Sequence, residues 1–598
     1  MIEDYIVQRE NLEKEIRAFK KLINQYSFAR LFLFGLDILL VYLFFNQGIE
    51  ALIVITTLSL IGFLYLVKVQ TNHQNHLKFL ITKELLVKNE INVKDGKTNI
   101  YDDGTRFCNP NHPYTDDLDI FGEHSLFAYL NRCSTLDAQN LLAKWLSVYA
   151  EKTIIEERQK AVEELSGKQE NNLNFRARLF GLNLNEIPTL KLFFKDYLPN
   201  KLDFLKKKPT KVFVAAIPII TTGVLFAAVI FNGILWNILG LTLLLSGAGY
   251  MFYKKDIDAL HEQISKSVSG LENYAENLKW IEQVEWASSL LVNLKSSIKK
   301  GDNLISKEIF ELSKILNSLN SRLNPIVGIF LNLFFQWDLK TLKRLAVWEA
   351  KNQLEIINAF DVLVNFESLL SLATLGHNHS DWVYPKILNS HHLNTVAIGH
   401  PLITDQKRIA NDFHLTDNIT IDIITGSNMA GKSTFLRTIG INMVLAFAGA
   451  KVCAEKMETS IFSLISYMRI KDSLANQTST FKAEIDRLKM ILDFTTANQN
   501  SFVLIDEMLR GTNSKDKYLG SKVLIKKLIT QKTPGLIATH DLQIADLEKE
   551  YPKQLRNYHF DITVEKQEMY FDYKIKIGEC KTFNASMLLK AIGIEIEE

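Results

Sequence analysis

Residues 419–434 read ITIDIITGSNMAGKST. Ile419 to Ile424 is a short β-branched run of the kind that forms a buried strand in a parallel sheet. It runs into Gly426-Ser427-Asn428-Met429-Ala430-Gly431-Lys432-Ser433-Thr434, a G-x4-G-K-S pattern, and a helical stretch starts near Phe435. Strand, glycine-bounded loop and helix in that order make a phosphate site. Glycines let the backbone curl until its amides point at phosphate oxygens, and the helix N-terminus adds a favourable field. In such a loop Lys432 reaches the β- and γ-phosphates and the Ser433 hydroxyl holds Mg²⁺. ATP and Mg²⁺ are the expected cofactors.

Two later runs repeat the strand texture, Phe502-Val503-Leu504-Ile505 and Gly535-Leu536-Ile537-Ala538. The first ends in Asp506-Glu507. Two carboxylates at the end of a buried strand suit a metal-holding acid, Asp506, and a water-polarising base, Glu507. The second ends in Thr539-His540, which puts a histidine on the side of an open α/β sheet where ligands bind. From about residue 395 onward the chain therefore reads as an α/β P-loop domain of the ABC-like kind.

Upstream the pattern is helical and, in two places, strongly apolar. Residues 31–67 hold two apolar runs broken by Asn46-Gln47-Gly48-Ile49-Glu50, with Asp37 as the one charge in the first run. Val212 to Phe231 and Ile234 to Phe252 form a second pair around Asn232-Gly233. A bilayer core of about 30 Å takes about 20 helical residues, which the second pair meets and the first approaches. Buried core helices are the other reading, and the flanks weigh against it. Arg17, Lys20, Lys21, Arg30 and Lys68 bracket the first pair; Lys206, Lys207, Lys208, Lys211, Lys254 and Lys255 bracket the second. Positive ends and nearly uncharged tips place both ends of each hairpin in the cytoplasm. The expected location is thus the cytoplasmic membrane, multi-pass, with the bulk of the chain cytoplasmic. The charged first 28 residues show no cleavable signal pattern and read as an amphipathic helix through Ile16, Phe19, Leu22 and Ile23. The run 324–337 (NPIVGIFLNLFFQW) is apolar but too short to span, and suits a buried or interfacial segment.

The whole chain hides this division. Its 598 residues are 47% hydrophobic, with 69 Lys+Arg against 67 Asp+Glu. That balance excludes a chain basic throughout, so any nucleic-acid surface is local. Cys108, Cys133, Cys453 and Cys580 lie far apart, which excludes a disulfide scaffold and a zinc ribbon.

At the phosphate-site residues the chain resembles the MutS family of DNA mismatch-repair ATPases. The loop 425–434 is similar to that family's phosphate loop, including Asn428-Met429, with Ser427 and Ala430 in place of the usual Pro and Gly. Ser479-Thr480-Phe481-Lys482-Ala483-Glu484 resembles its STF-x-x-E motif, whose serine acts across a dimer on the partner's ATP. Asp506 through Ser514 resembles its acidic strand end and following loop, and Ala538-Thr539-His540 its switch histidine. Gly399-His400-Pro401 and Phe571-Asp572-Tyr573-Lys574 resemble segments at the two ends of its ATPase domain. Near the adenine side, Ile409-Ala410-Asn411 matches, with Arg408 where the family often has an aromatic residue. Leu118 to Phe127, Leu130 to Thr135, Trp145-Leu146 and Ile155 to Leu165 look like the start of its helical core, or lever, domain. The N-terminal mismatch-reading domain with its Phe-x-Glu wedge has no counterpart. Phe121-Gly122-Glu123 has the letters but falls within the core-domain stretch.

The resemblance implies a nucleotide site made of Gly426, Ser427, Asn428, Met429, Ala430, Gly431, Lys432, Ser433, Thr434 and Ile409. It also implies catalytic roles for Glu507, Lys432 and His540, metal ligands Ser433 and Asp506, and Ser479 acting in trans. The expected organisation is an amphipathic helix (1–28), a transmembrane hairpin (29–69), the first part of an all-α lever domain (70–211), a second hairpin (212–253), the rest of the lever (254–390) and the ATPase domain (391–598). The expected function is a membrane-anchored MutS-like ATPase that binds mismatched or branched DNA in an ATP-dependent way as a homodimer. Two alternatives are a membrane-tethered relative without mismatch recognition and an ABC-type transporter. The second lacks the LSGGQ signature, which STF-x-x-E replaces.

Overall fold

A computed structural model describes residues 2–265, 270–299, 303–389, 391–415, 420–427, 429–468, 480–509, 513–565 and 568–580. The chain folds as two compact units. One comprises Met1–Ile100, Gln169–Ile281 and Asn303–Gln353; the other comprises Tyr101–Lys168, Glu282–Asp302 and Leu354–Glu598.

The first unit is helical. Ile2–Phe44 and Ile49–Lys94 are single helices of 43 and 46 residues. At 1.5 Å per residue each is about 65–70 Å long, more than twice a bilayer core. The amphipathic N-terminal stretch and the first apolar run are therefore one continuous rod. Its polar half is tied to the returning helix by Arg9 with Glu84 at 3.4 Å, by Gln70 Nε2 donating to Ser27 Oγ at 2.8 Å, and by Tyr26 and Phe19 packed on His73 and His76. The apolar half is different. Two helices share only a thin seam, so Phe32, Ile38, Leu58 and Leu64 face outward, and nothing in the most apolar 18-residue window of either helix is buried.

Lys208–Phe231 and Leu235–Ser265 form the second hairpin, turned by Asn232 and Gly233 at positive φ. Phe213 fills the space that a Cβ on Gly249 would need, at 2.1 Å. The short apolar run is a helix, Pro325–Phe335. A fifth helix of spanning length and composition, Trp337–Asn378, has 78% of its apolar window buried and is a core helix. Among the more polar helices, Arg176 and Glu90 form an ion pair whose side chains are almost wholly removed from solvent.

The second unit holds both sheets. Its strands are β1 (Lys386–Leu388), β2 (Leu393–Ile398), β3 (Asn411–His414), β4 (Ile421–Thr425), β5 (Lys456–Ser460), β6 (Ser463–Tyr467), β7 (Ser501–Asp506), β8 (Gly535–Ala538), β9 (Leu555–Glu565) and β10 (Glu568–Ile577). The smaller sheet has the order β1-β5-β2-β3, and the larger β10-β9-β4-β8-β7-β6. All pairings in the larger sheet are parallel except that of the β9–β10 hairpin. Every residue of β4, β7 and β8 is buried, as their largely apolar runs suit in central parallel strands. Helices Lys432–Ala448, Thr480–Ala497 and Ser514–Thr530 follow β4, β6 and β7.

The segment before Leu126 packs on this α/β layer. A Cβ on Gly440 would meet Leu118 and Leu504 at 2.8 Å, Arg437 pairs with Asp119 at 2.7 Å, and Ser466 donates to Asp117 at 2.8 Å. Phe121, in the sequence that imitates a mismatch wedge, lies in an aromatic cluster with Phe107 and Phe127.

Glu367, on the long core helix, accepts from the Ser134 amide and the Thr135 hydroxyl. Burial nonetheless pushes its carboxyl up to about 7, from 4.5. The folded chain thus keeps a proton that the unfolded chain releases, so this stabilisation is full below 4.5 and lost as pH rises through 7. Glu367→Gln should gain stability relative to the natural chain by up to about 3 kcal/mol between pH 4.5 and 7.5. Melting temperatures of the two chains across that range test this, and a pH-independent difference refutes it.

Candidate functional site

The parallel register builds the site. Ile424 lies opposite Ala538, and Ala538 lies opposite Asp506, so β4, β8 and β7 end at one level. Backbone bonds extend the alignment, with Glu507 N donating to Ala538 O at 2.9 Å and Thr539 N to Ile424 O at 3.0 Å. Gly426, His540 and the Asp506-Glu507 pair therefore emerge side by side at the carboxyl ends of adjacent strands, the usual ligand edge of such a sheet.

There the protein encloses a cavity of about 1030 Å³. Met429, Gly431, Lys432, Ser433 and Thr434 line it from the loop, Asp506, Glu507 and His540 from the strand ends, and Ile409 from the far wall. Gly426 and Gly431 have φ of +139° and +107°, which other residues rarely adopt. A Cβ on Gly426 would also lie 2.8 Å from the Phe560 carbonyl. Gly431 precedes the helix Lys432–Ala448, whose first turn faces the cavity. The Ser427 hydroxyl is buried without a hydrogen-bond partner among the described residues, and Ala430 is buried. Asn428 and Ser479 lie outside the described residues, as do 510–512.

Lys432 Nζ donates to the carbonyls of Gly426 and Ser427, both at 2.8 Å, and stands 3.4 Å from the His540 ring nitrogens. Burial lowers its ammonium to about 8, against the attraction of Asp506 and Glu507. Burial and the neighbouring Lys432 charge also lower His540, favouring its neutral form. Glu507 sits at φ +55° and accepts from Lys517 Nζ at 2.8 Å, so a cation on the Ser514–Thr530 helix holds this carboxylate.

Sequence reasoning did not assign two features. The first is Lys517. The second is an aromatic wall, Phe571 and Tyr573, whose rings stack at 5.8 Å and 19° beside Phe560. A register shift in β10 between Phe571 and Ile575 turns this stretch toward the cavity. Asn411 fastens it, donating to Tyr573 O at 3.0 Å and accepting from Ile575 N at 2.9 Å. The aromatic surface thus comes from β10, while Arg408 turns away to donate to the carbonyls of His400 and Ile403. His400 also lines the cavity, its imidazole lowered to about 4 by burial and by Arg437 and Arg408. The dense aromatics of 570–573 were the available signal, but the bulge that aims them is not readable from letters. A buried lysine, paired acids and an aromatic wall around one cavity suit an anionic ligand that carries a flat ring.

Residues 422–592 match the family profile described as MutS domain V. Over these residues the chain is similar to the MutS family. The matched segment holds the loop, the acid pair and His540. The chain is 29% identical over 250 residues to the DNA mismatch repair protein MutS of Thermotoga maritima, covering 41% of this chain and 31% of that protein. It is 31% identical over 257 residues to the protein of that name from Aquifex pyrophilus, covering 41% and 29%. With the MutS protein homolog 4 of Homo sapiens it shares 31% over 240 residues, covering 38% and 24%. The chain therefore spans less than a third of these relatives' length.

Because Lys432 is lowered to about 8, triphosphate binding above that pH must restore a proton to it. The Kd for ATP is expected to rise toward tenfold per pH unit between about pH 8 and 9.5. Titration calorimetry in buffers of different ionisation heat reads the proton uptake directly. A flat Kd without uptake would contradict the lowered ammonium.

Proposed function

We propose that the chain is a membrane-anchored MutS-like ATPase that couples Mg²⁺-dependent ATP hydrolysis to DNA binding and works as a dimer. The observation that carries the ATPase part is the convergence of Lys432, Asp506, Glu507 and His540 on one cavity at the ends of β4, β7 and β8.

In this reading the loop amides and Lys432 hold the β- and γ-phosphates, and the base lies against Phe571 and Tyr573. Ser433 and Asp506 would hold Mg²⁺, which supplies neutralisation of phosphate charge. Glu507 orients a water and takes its proton as the water oxygen attacks the γ-phosphorus. The bond from that phosphorus to the bridging oxygen breaks, and ADP leaves with its electron pair. Lys432 offsets the charge that collects on the bridging and equatorial oxygens. His540, neutral and beside Lys432, senses whether the γ-phosphate is present. Ser479 of a second copy completes each site, which is what makes the working form a homodimer.

The anchor is proposed on the exposed apolar helices. Among the described residues, four helices have spanning length and composition with at most 22% of their apolar windows buried. Their flanking cations support the reading that the remaining chain lies on the cytoplasmic side of the cytoplasmic membrane. The DNA part is carried over from the named mismatch-repair relatives. A second reading, a tether that keeps the ATPase without recognising mismatches, is favoured by the family model matching only residues 422–592.

Glu507→Gln should bind ATP with near-natural affinity and lose at least about 100-fold in kcat, the scale of a general base. Unchanged turnover would remove Glu507 from the reaction. DNA binding is tested with paired, mismatched and branched duplexes, with and without ATP, across salt. The clamp reading expects ATP-dependent binding that weakens steeply with salt. Absent binding leaves the tether, and equal affinity for paired and mismatched duplex leaves a clamp without mismatch recognition.

A further inference from the structure

The second hairpin is not alone. The short apolar helix Pro325–Phe335 packs against both of its helices, and polar contacts of an unusual kind join them. Ser246, wholly buried, donates its hydroxyl to the Leu333 carbonyl at 2.6 Å and accepts from Gln336 Nε2 at 2.7 Å. The buried Thr221 hydroxyl stands 3.0 Å from the Phe334 carbonyl. These carbonyls belong to the last turn of the short helix, where intrahelical partners run out. One hydroxyl from each hairpin helix thus meets the end of the third. Asn332, also buried, is satisfied internally, donating to Gly328 O at 3.0 Å and accepting from Asp338 N at 2.9 Å. Gly247 permits the close approach, since a Cβ there would meet Leu333 at 3.2 Å.

The other face is apolar and open. Ile326 is 82% exposed, Ile329 61%, Phe330 52% and Val327 43%. The hairpin it packs on also exposes apolar side chains, including Ile219 and Leu244. Exposed Lys343 and Arg344 follow within two turns of the next helix, where cations meet anionic headgroups. Backbone groups at a helix end need protein partners where water is absent, and apolar side chains need none there.

We propose that Pro325–Phe335 is a third membrane-embedded element, a half-inserted helix whose Ile326–Phe330 face takes lipid acyl chains. Its 11 residues reach about 16 Å, one leaflet of a bilayer. Ser246 and Thr221 dock its C-terminal end, so the second anchor is a three-helix insert. This rests on the membrane reading of the hairpins.

The test uses the full chain in opened membrane vesicles with a membrane-impermeant maleimide. Exposed Cys108 is first replaced by serine; the other three cysteines are buried. Single variants Ile326→Cys, Ile329→Cys and Phe330→Cys are compared with Ile219→Cys and Leu244→Cys in the hairpin and with Lys343→Cys outside it. ATP binding by each variant reports folding. The proposal expects the three helix positions and the two hairpin positions to label at least tenfold more slowly than Lys343→Cys. Fast labelling at 326, 329 and 330 with a protected hairpin overturns this proposal alone. Fast labelling at 219 and 244 overturns the membrane reading itself. Ile329→p-benzoylphenylalanine, irradiated in the same vesicles, should yield lipid adducts. A product of twice the chain's mass would assign the face to a second copy and overturn the lipid proposal.

Discussion

The site depends on three parallel strands ending at the same level. β4, β8 and β7 are buried along their whole length, mostly by apolar side chains, and the site's polar groups gather at their carboxyl ends. Their shared register makes a loop after residue 425, an acid pair at 506–507 and a histidine at 540 into neighbours. A slip of one residue would reverse the faces of the strand and separate these groups. Gly535 shows how tight the layer is, since a Cβ there would lie 2.7 Å from the Val503 carbonyl. The chemistry at the edge is held by the packing of the centre.

The electrostatics follow from the same enclosure. Lys432 is surrounded closely enough for burial to lower its ammonium, yet Asp506 and Glu507 stand near enough to oppose that shift. His540 shares the environment and is lowered with it. Glu507 is held by Lys517 from the helix that follows its strand. The acid, the lysine and the histidine form one charge system, and phosphate charge would be the natural counterweight to its cations.

The rest of the chain obeys a different constraint. Two helices in water cannot hide long apolar faces from each other, so the hairpins leave most of that surface open. The Trp337–Asn378 helix has similar length and apolar content but is mostly buried. Composition alone does not separate the two cases; lysine and arginine brackets do, because only the hairpins carry them at both ends. The long rods Ile2–Phe44 and Ile49–Lys94 add polar halves below their apolar ones, a continuity hidden in sequence by the change from charged to apolar residues.

Much of the site was legible because local chemistry dictates local letters. A phosphate loop needs glycines at positive φ, a lysine and a hydroxyl at set spacing, and central parallel strands need unbroken β-branched runs. Those requirements identified the loop, the acid pair, the histidine and the apolar hairpins by residue number. Relations between distant segments were not legible. The aromatic wall depends on a bulge in β10 and on Asn411, 162 residues away. The Lys517 contact depends on where a helix starts, and the docking of Pro325–Phe335 on hydroxyls at Ser246 and Thr221. The sequence by itself determined which residues could bind phosphate and which segments avoid water, since both follow from side-chain chemistry and short-range periodicity. Only the tertiary structure decided what faces what, because register, bulges and helix-end partners are set by packing between segments that no local pattern connects.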